Sequence, residues 1–170
     1  PTPGGVWSSS NSACATIGSG TGIAVGIAPG LVTISYVFGG STATLVLVVA
    51  PSPAAITGYS STCVGATTGL YNSSAGSGTW SSSNTTVGAI GSGSGLVTGI
   101  SGGTTTITYT NHFGCYSTRT QTINSVPGAI TGPATICAAD TSTFSSSSAG
   151  GTWSIANTGI ATINSTTGLL

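Results

Sequence analysis

Chemistry has few places to reside in this sequence. Its 170 residues hold one His, one Arg, one Asp and four Cys, with no Lys, Glu or Met. A Ser–His–Asp constellation could be assembled from His112, Asp140 and any of many serines, but none of these lies in a nucleophile-elbow context. His112 stands in Asn111-His112-Phe113-Gly114 between two alternating runs and reads as a loop residue. Glycoside hydrolysis needs two carboxylates, and one exists. Calcium wants several carboxylate and carbonyl oxygens, which a single Asp cannot supply to each part of the chain. No His/Cys cluster has zinc spacing. We therefore expect no catalysis, no metal and no cofactor. The remaining reactive groups, Cys14, Cys63, Cys115 and Cys137, favour disulfides and an oxidising, extracellular location.

The elements that position these residues follow from composition and repetition. Ser and Thr fill 59 positions and Gly another 28. Val, Ile, Leu, Tyr, Trp and Thr alternate with small polar residues, which is strand composition. Ser, Thr and Gly are poor helix formers, and no apolar period of 3.6 residues occurs. The near absence of charge leaves no footprint for nucleic acid or an anionic membrane. The longest apolar run, Leu45 to Ala50, is far shorter than the ~20 residues of a membrane span. An uncharged Ser/Thr surface suits a chain packed against copies of itself or coated with glycans. The start at Pro1 rather than Met suggests processing or a piece of something longer.

The chain repeats. Gly5-Val6-Trp7-Ser8-Ser9-Ser10-Asn11 returns as Gly78-Thr79-Trp80-Ser81-Ser82-Ser83-Asn84 and again as Gly151-Thr152-Trp153-Ser154-Ile155-Ala156-Asn157. The three tryptophans are 73 residues apart, which marks a tandem array. Residues 1–53 read as the later strands of one unit, 54–127 as a complete unit, and 128–170 as the early strands of a third. The central unit holds about seven short alternating runs bounded by Gly, Ser or Pro, spaced as in an antiparallel sandwich. The third should place strands at Trp153 and at Ile160-Ala161-Thr162-Ile163. Pro51-Ser52-Pro53 makes a stiff link between the first two.

Within the central unit, Trp80-Ser81-Ser82-Ser83-Asn84, Val87, Ile90, Gly95-Leu96-Val97-Thr98-Gly99-Ile100, Gly103 and Thr106-Ile107-Thr108-Tyr109 resemble the group 2 bacterial Ig-like domain. The flanking Ile-Thr-Gly then Cys63, and Gly114-Cys115, are similar to the variant in very long repetitive surface proteins of Gram-negative bacteria. The resemblance implies an all-β fold of tandem Ig-like antiparallel sandwiches with a period of 73–74 residues, an extracellular location and no catalytic residues.

Cys63 and Cys115 fall near the first strand and at the start of the last strand of the complete unit, where a sandwich can make them neighbours, so we expect them to be bonded. Closing that ~50-residue loop would contribute roughly 4 kcal/mol. Cys137 repeats Cys63 one period on, and its partner would fall beyond Leu170. Cys14 occupies the Val87 position and reads as a buried small hydrophobe or a bond to another copy. Trp7, Trp80 and Trp153 read as core anchors. Thr104, Thr106, Thr108 and Thr110 form a ladder of the kind that can bind ice, but on one strand only, so ice binding is set aside. Asn72, Asn84 and Asn164 begin Asn-x-Ser/Thr sequons, and Asp140-Thr141-Ser142 resembles a bacterial O-glycosylation site.

These features describe an extracellular structural or adhesive fibre protein whose partner is itself, joined head to tail or through further repeats, with glycans on its hydroxyls. The alternative is a stalk, or a carbohydrate- or surface-binding module, of an adhesin; an aromatic-lined exposed groove would favour it. Leu45-Val46-Leu47-Val48-Val49, apolar on both faces, should be covered on both. Both ends of the chain fall inside a sandwich, so strands from a continuing chain, or residues 130–152 of a second copy, should complete the unit of residues 5–50.

Overall fold

The computed structural model describes residues 4–74 and 77–170, and among these every regular element is a strand. Residues 4–53 form β1 (Val6–Ser9), β2 (Ala15–Ile17), β3 (Ala24–Gly26), β4 (Gly30–Phe38) and β5 (Ser41–Val49). Next come β6 (Thr57–Gly58), β7 (Ser61–Cys63), β8 (Thr67–Tyr71), β9 (Gly78–Ser82), β10 (Gly88–Ile90), β11 (Leu96–Gly99), β12 (Gly103–Asn111) and β13 (Tyr116–Asn124). The short β14 (Ile130–Thr131) and β15 (Ser145–Ser146) follow.

Residues 57–124 build a two-layer sandwich. One sheet runs β10-β11-β8-β6 and the other β7-β13-β12-β9. Strand alternation sends every second side chain inward, so Ile56, Leu70, Trp80, Val97, Ile107, Tyr109 and Ile123 meet as one core. Among the described residues the strands of these two sheets pair antiparallel except β7 with β13, which is parallel, as is the isolated bridge between Val64 and Gly99. The β12–β13 hairpin is shaped by Asn111, whose carboxamide oxygen accepts from the N–H groups of Phe113 and Cys115, each at 3.0 Å.

The period seen in the sequence has a structural counterpart. The N–H groups of Trp7, Trp80 and Trp153 donate to the carbonyls of Ser19, Ser92 and Ser165 at 2.9, 2.8 and 2.9 Å. Each indole lies over a glycine in the left-handed region, Gly22, Gly95 and Gly168, with φ of 70°, 68° and 71°. A side chain there would be strained by its backbone and would strike the ring. Trp7 and Trp80 also stack against Tyr36 and Tyr109, with ring centroids 4.5 and 4.9 Å apart.

Residues 4–53 repeat the sheet of β9, β12 and β13 as β1-β4-β5, over a smaller core of Cys14, Ala15, Val32 and Ile34. Within the single chain, Val46 and Val48 on the outer face of β5 are exposed, as is Leu31 opposite Val48. The covering expected for that face is therefore not provided by the described residues. Residues 128–170 differ from expectation. Strands do not form at Trp153 or at 160–163. Gly78–Ser82 is a strand because β12 pairs with it; among the described residues no strand pairs with the equivalent stretch around Trp153.

Candidate functional site

β13 carries two polar side chains on its inward face, where β5 carries leucines. The inward positions of β13 are marked by Gln121 and Ile123, both buried. Arg119, also on this face, donates from Nη1 to the Ile56 carbonyl at 3.0 Å and from Nη2 to the Gly58 carbonyl at 2.7 Å. Gln121 is fully buried; with its amide oriented to suit its neighbours, it donates to the Tyr59 carbonyl at 3.0 Å and accepts from the Ser61 N–H at 3.2 Å. Beyond it the backbone takes over. Thr122 N–H donates to the Ser60 carbonyl and Val64 N–H to the Asn124 carbonyl, each at 2.9 Å. The entering segment 56–64 is thus tied along its length to the leaving strand. Because β7 and β13 run parallel, tension between residue 54 and residue 124 slides one strand along the other and loads these bonds together, rather than peeling them one at a time.

The parallel pairing also overturns the expected Cys63–Cys115 disulfide. Cys63 lies opposite Asn124 at the far end of β13, and Cys115 immediately precedes β13 at its near end. At about 3.3 Å per residue, the run from 115 to 124 separates them by about 30 Å, several times the reach of a disulfide. All four thiols are free: Cys63 and Cys137 exposed, Cys115 half-buried, Cys14 buried with its thiol donating to the Ala28 carbonyl at 3.2 Å. The two cysteines of the central unit sit at its opposite poles. The near pole is also where the chain enters, since Asn111 Nδ2 donates to the Pro51 carbonyl at 3.0 Å.

The other singled-out residues are scattered. His112 is exposed and stacks on Phe113, with centroids 3.8 Å apart. Asp140 is exposed, and among the described residues no group of three His, Cys, Asp or Glu lies together. The Asn72 amide nitrogen, the atom a glycan would need, donates to the Ala54 carbonyl at 2.6 Å and to Ser117 Oγ at 3.3 Å, so glycosylation there would remove one of these two donors. Asn84 and Asn164 are exposed and shape turns through their side-chain oxygens; Thr141 is exposed. The threonine ladder is two strands wide, not one. Thr104, Thr106 and Thr108 face Thr122, Thr120 and Thr118 of β13. Neighbouring strands are rotated by about 20–25°, so this array curves and offers ice no flat face.

This architecture is all-β, a mostly antiparallel two-layer sandwich whose Trp-containing sheet has a counterpart in residues 4–53. Residues 42–115 match the family described as bacterial Ig-like domain (group 2), a segment that begins within β5 and ends just before β13. No curated protein matches the chain. Among solved structures it is similar to a C-terminal fragment of intimin, solved with the intimin-binding domain of the translocated intimin receptor. Identity there is 19% over 72% of this chain and 53% of that one, with a TM-score of 0.42, so the chain spans about half the fragment's length. Domains 4 and 5 of the S-layer protein SbsC match with 22% identity over 72% of this chain and 70% of that one, at a TM-score of 0.31. None of these resemblances is close. Among the described residues no helix is long and apolar enough to cross a membrane.

Proposed function

We propose that this chain is a non-enzymatic, load-bearing module of a bacterial cell surface, in which Ig-like units transmit tension to a structural or adhesive fibre. In this reading residues 1–53, 54–127 and 128–170 belong to three successive units. Further repeats, or copies joined head to tail, extend the array outside the cell. The parallel tie between residues 56–64 and β13 supports the reading, because it sets backbone and side-chain hydrogen bonds between the entering and leaving strands across the line of pull. Any disulfide formed by Cys63 or Cys115 would then join units rather than close one, since each thiol sits at a pole. The test is single-molecule extension of the whole chain, comparing wild type with Arg119→Leu and Gln121→Leu. A lower rupture force for the central unit in both variants is expected, and an unchanged force would refute the mechanical role. Electron microscopy of native material tests the fibre itself: a regular filament is expected, and monodisperse particles would count against it.

A further inference from the structure

The outward face of the sheet β10-β11-β8-β6 holds a shallow cavity of about 440 Å³ lined by Gly58, Tyr59, Thr67, Thr68, Gly69 and Tyr71. Its walls are two tyrosines that the fold does not bury: Tyr59 is 79% exposed and Tyr71 67% exposed. Its floor is Gly69. A Cβ built there would lie 2.9 Å from Tyr71 Oη and 3.2 Å from Cζ, so the phenol lies across the glycine and depends on its having no side chain. β6 pairs Thr57 with Tyr71 and Gly58 with Leu70, and Tyr59, just past the end of this ladder, lines the cavity together with Gly69. The Tyr71 ring thus lies over Gly69, and Tyr59 lines the same cavity.

This arrangement is not demanded by the unit. One period on, the Trp, Cys63 and Ile56 positions are kept as Trp153, Cys137 and Ile130, whereas Tyr59 and Tyr71 become Pro133 and Ser145, and Gly69 becomes Thr143. Both rings stand outside the core and are mostly exposed to water. The volume falls within the roughly 300–1,000 Å³ of small-molecule sites, which combine apolar and aromatic walls with a few polar groups. The polar groups available on this face are uncharged: the phenol hydroxyls and the Thr67 hydroxyl, Thr68 pointing inward with Leu70. The nearest cation, Arg119, spends its guanidinium on the Ile56 and Gly58 carbonyls.

We propose that this cleft binds a pyranose ring of a neutral oligosaccharide. The C–H face of the sugar stacks on a tyrosine ring above Gly69, and its hydroxyls meet the phenol and Thr67 oxygens. An acidic sugar is disfavoured because no free positive charge faces the slot. The site adds ligand recognition to the central unit and is independent of the mechanical role.

The experiment is calorimetric titration of the whole chain with hexasaccharides of β-1,4-glucan, β-1,3-glucan, β-1,4-mannan and α-1,4-glucan, with an alginate hexasaccharide as the acidic probe. At least one neutral hexasaccharide should bind, and Tyr59→Ala and Tyr71→Ala should each weaken it about tenfold, the scale of one aromatic contact. Gly69→Thr should abolish binding by displacing Tyr71 and filling the floor. Circular dichroism verifies the fold of each variant, and Tyr59→Ala, altering an exposed side chain, keeps the test decisive if Gly69→Thr does not fold. No binding of any neutral probe, binding of alginate alone, or undiminished binding by the double tyrosine variant would each overturn the proposal. Force measurements would be untouched by any of these results.

Discussion

The sheets β1-β4-β5 and β9-β12-β13 share one design and differ at their last strand. Both pair a Trp strand with a Tyr strand, Trp7 opposite Tyr36 and Trp80 opposite Tyr109. On the inward face of the last strand, however, Leu45 and Leu47 stand where the central unit has Arg119 and Gln121. The polar pair exists because the segment 56–61 crosses above it with carbonyls and an N–H to satisfy. Leu45, with nothing above it in the described structure, is 68% exposed. A polar core residue in this fold is thus a response to the backbone that covers it, and the apolar version suits a different cover.

The largest test of this comparison removes the shared anchor. Trp80→Ala should destabilise the central unit by about 3–5 kcal/mol, since it empties a buried site. Trp7→Ala should cost the first sheet clearly less, because Trp7 is only half-buried. Urea unfolding followed by circular dichroism measures both, and equal losses would break the distinction. Next in size, Gln121→Leu copies the β5 residue into β13 and leaves the Ser61 N–H and Tyr59 carbonyl without a side-chain partner. A loss of about 1–3 kcal/mol is expected, while the reverse exchange, Leu47→Gln, should cost less because Leu47 is only half-buried. Arg119→Leu should cost about 1 kcal/mol, because its two charge-assisted bonds are only partly shielded from water. The smallest effect belongs to the outer face, where Thr106→Val with Thr120→Val should stay within about 0.5 kcal/mol of wild type. Separately, thiol titration of the folded monomer should count four free thiols; a mapped Cys63–Cys115 peptide would contradict the parallel pairing itself.

What could be read in advance was whatever repeats or alternates locally. The Trp-Ser-Ser-Ser-Asn motif, the Gly-bounded runs and the all-β class are properties of short stretches, and the left-handed glycines behind each Trp follow the same period. Strand direction is not local. Nothing in Ser61-Thr62-Cys63 says that it joins β13 in parallel, yet that one fact parts Cys63 from Cys115. Thr118, Thr120 and Thr122 were visible as an alternating run, but their place beside Thr104 to Thr108 depends on the register of the β12–β13 hairpin. Tyr59 and Tyr71 are twelve positions apart and carry no motif; only the pairing of β6 with β8 brings them to one slot.

Arg119 has a consequence of another kind. To a protease that cuts after basic residues, the whole chain offers a single bond, the one following Arg119. That bond lies in the middle of β13, paired along β12, and the side chain the protease must capture is held by two carbonyls. Cleavage therefore requires β13 to leave its sheet. At trypsin concentrations high enough for cleavage to outpace reclosing, digestion would proceed at the rate of that opening and yield two fragments, turning an ordinary digest into a clock for how often the central sandwich comes apart.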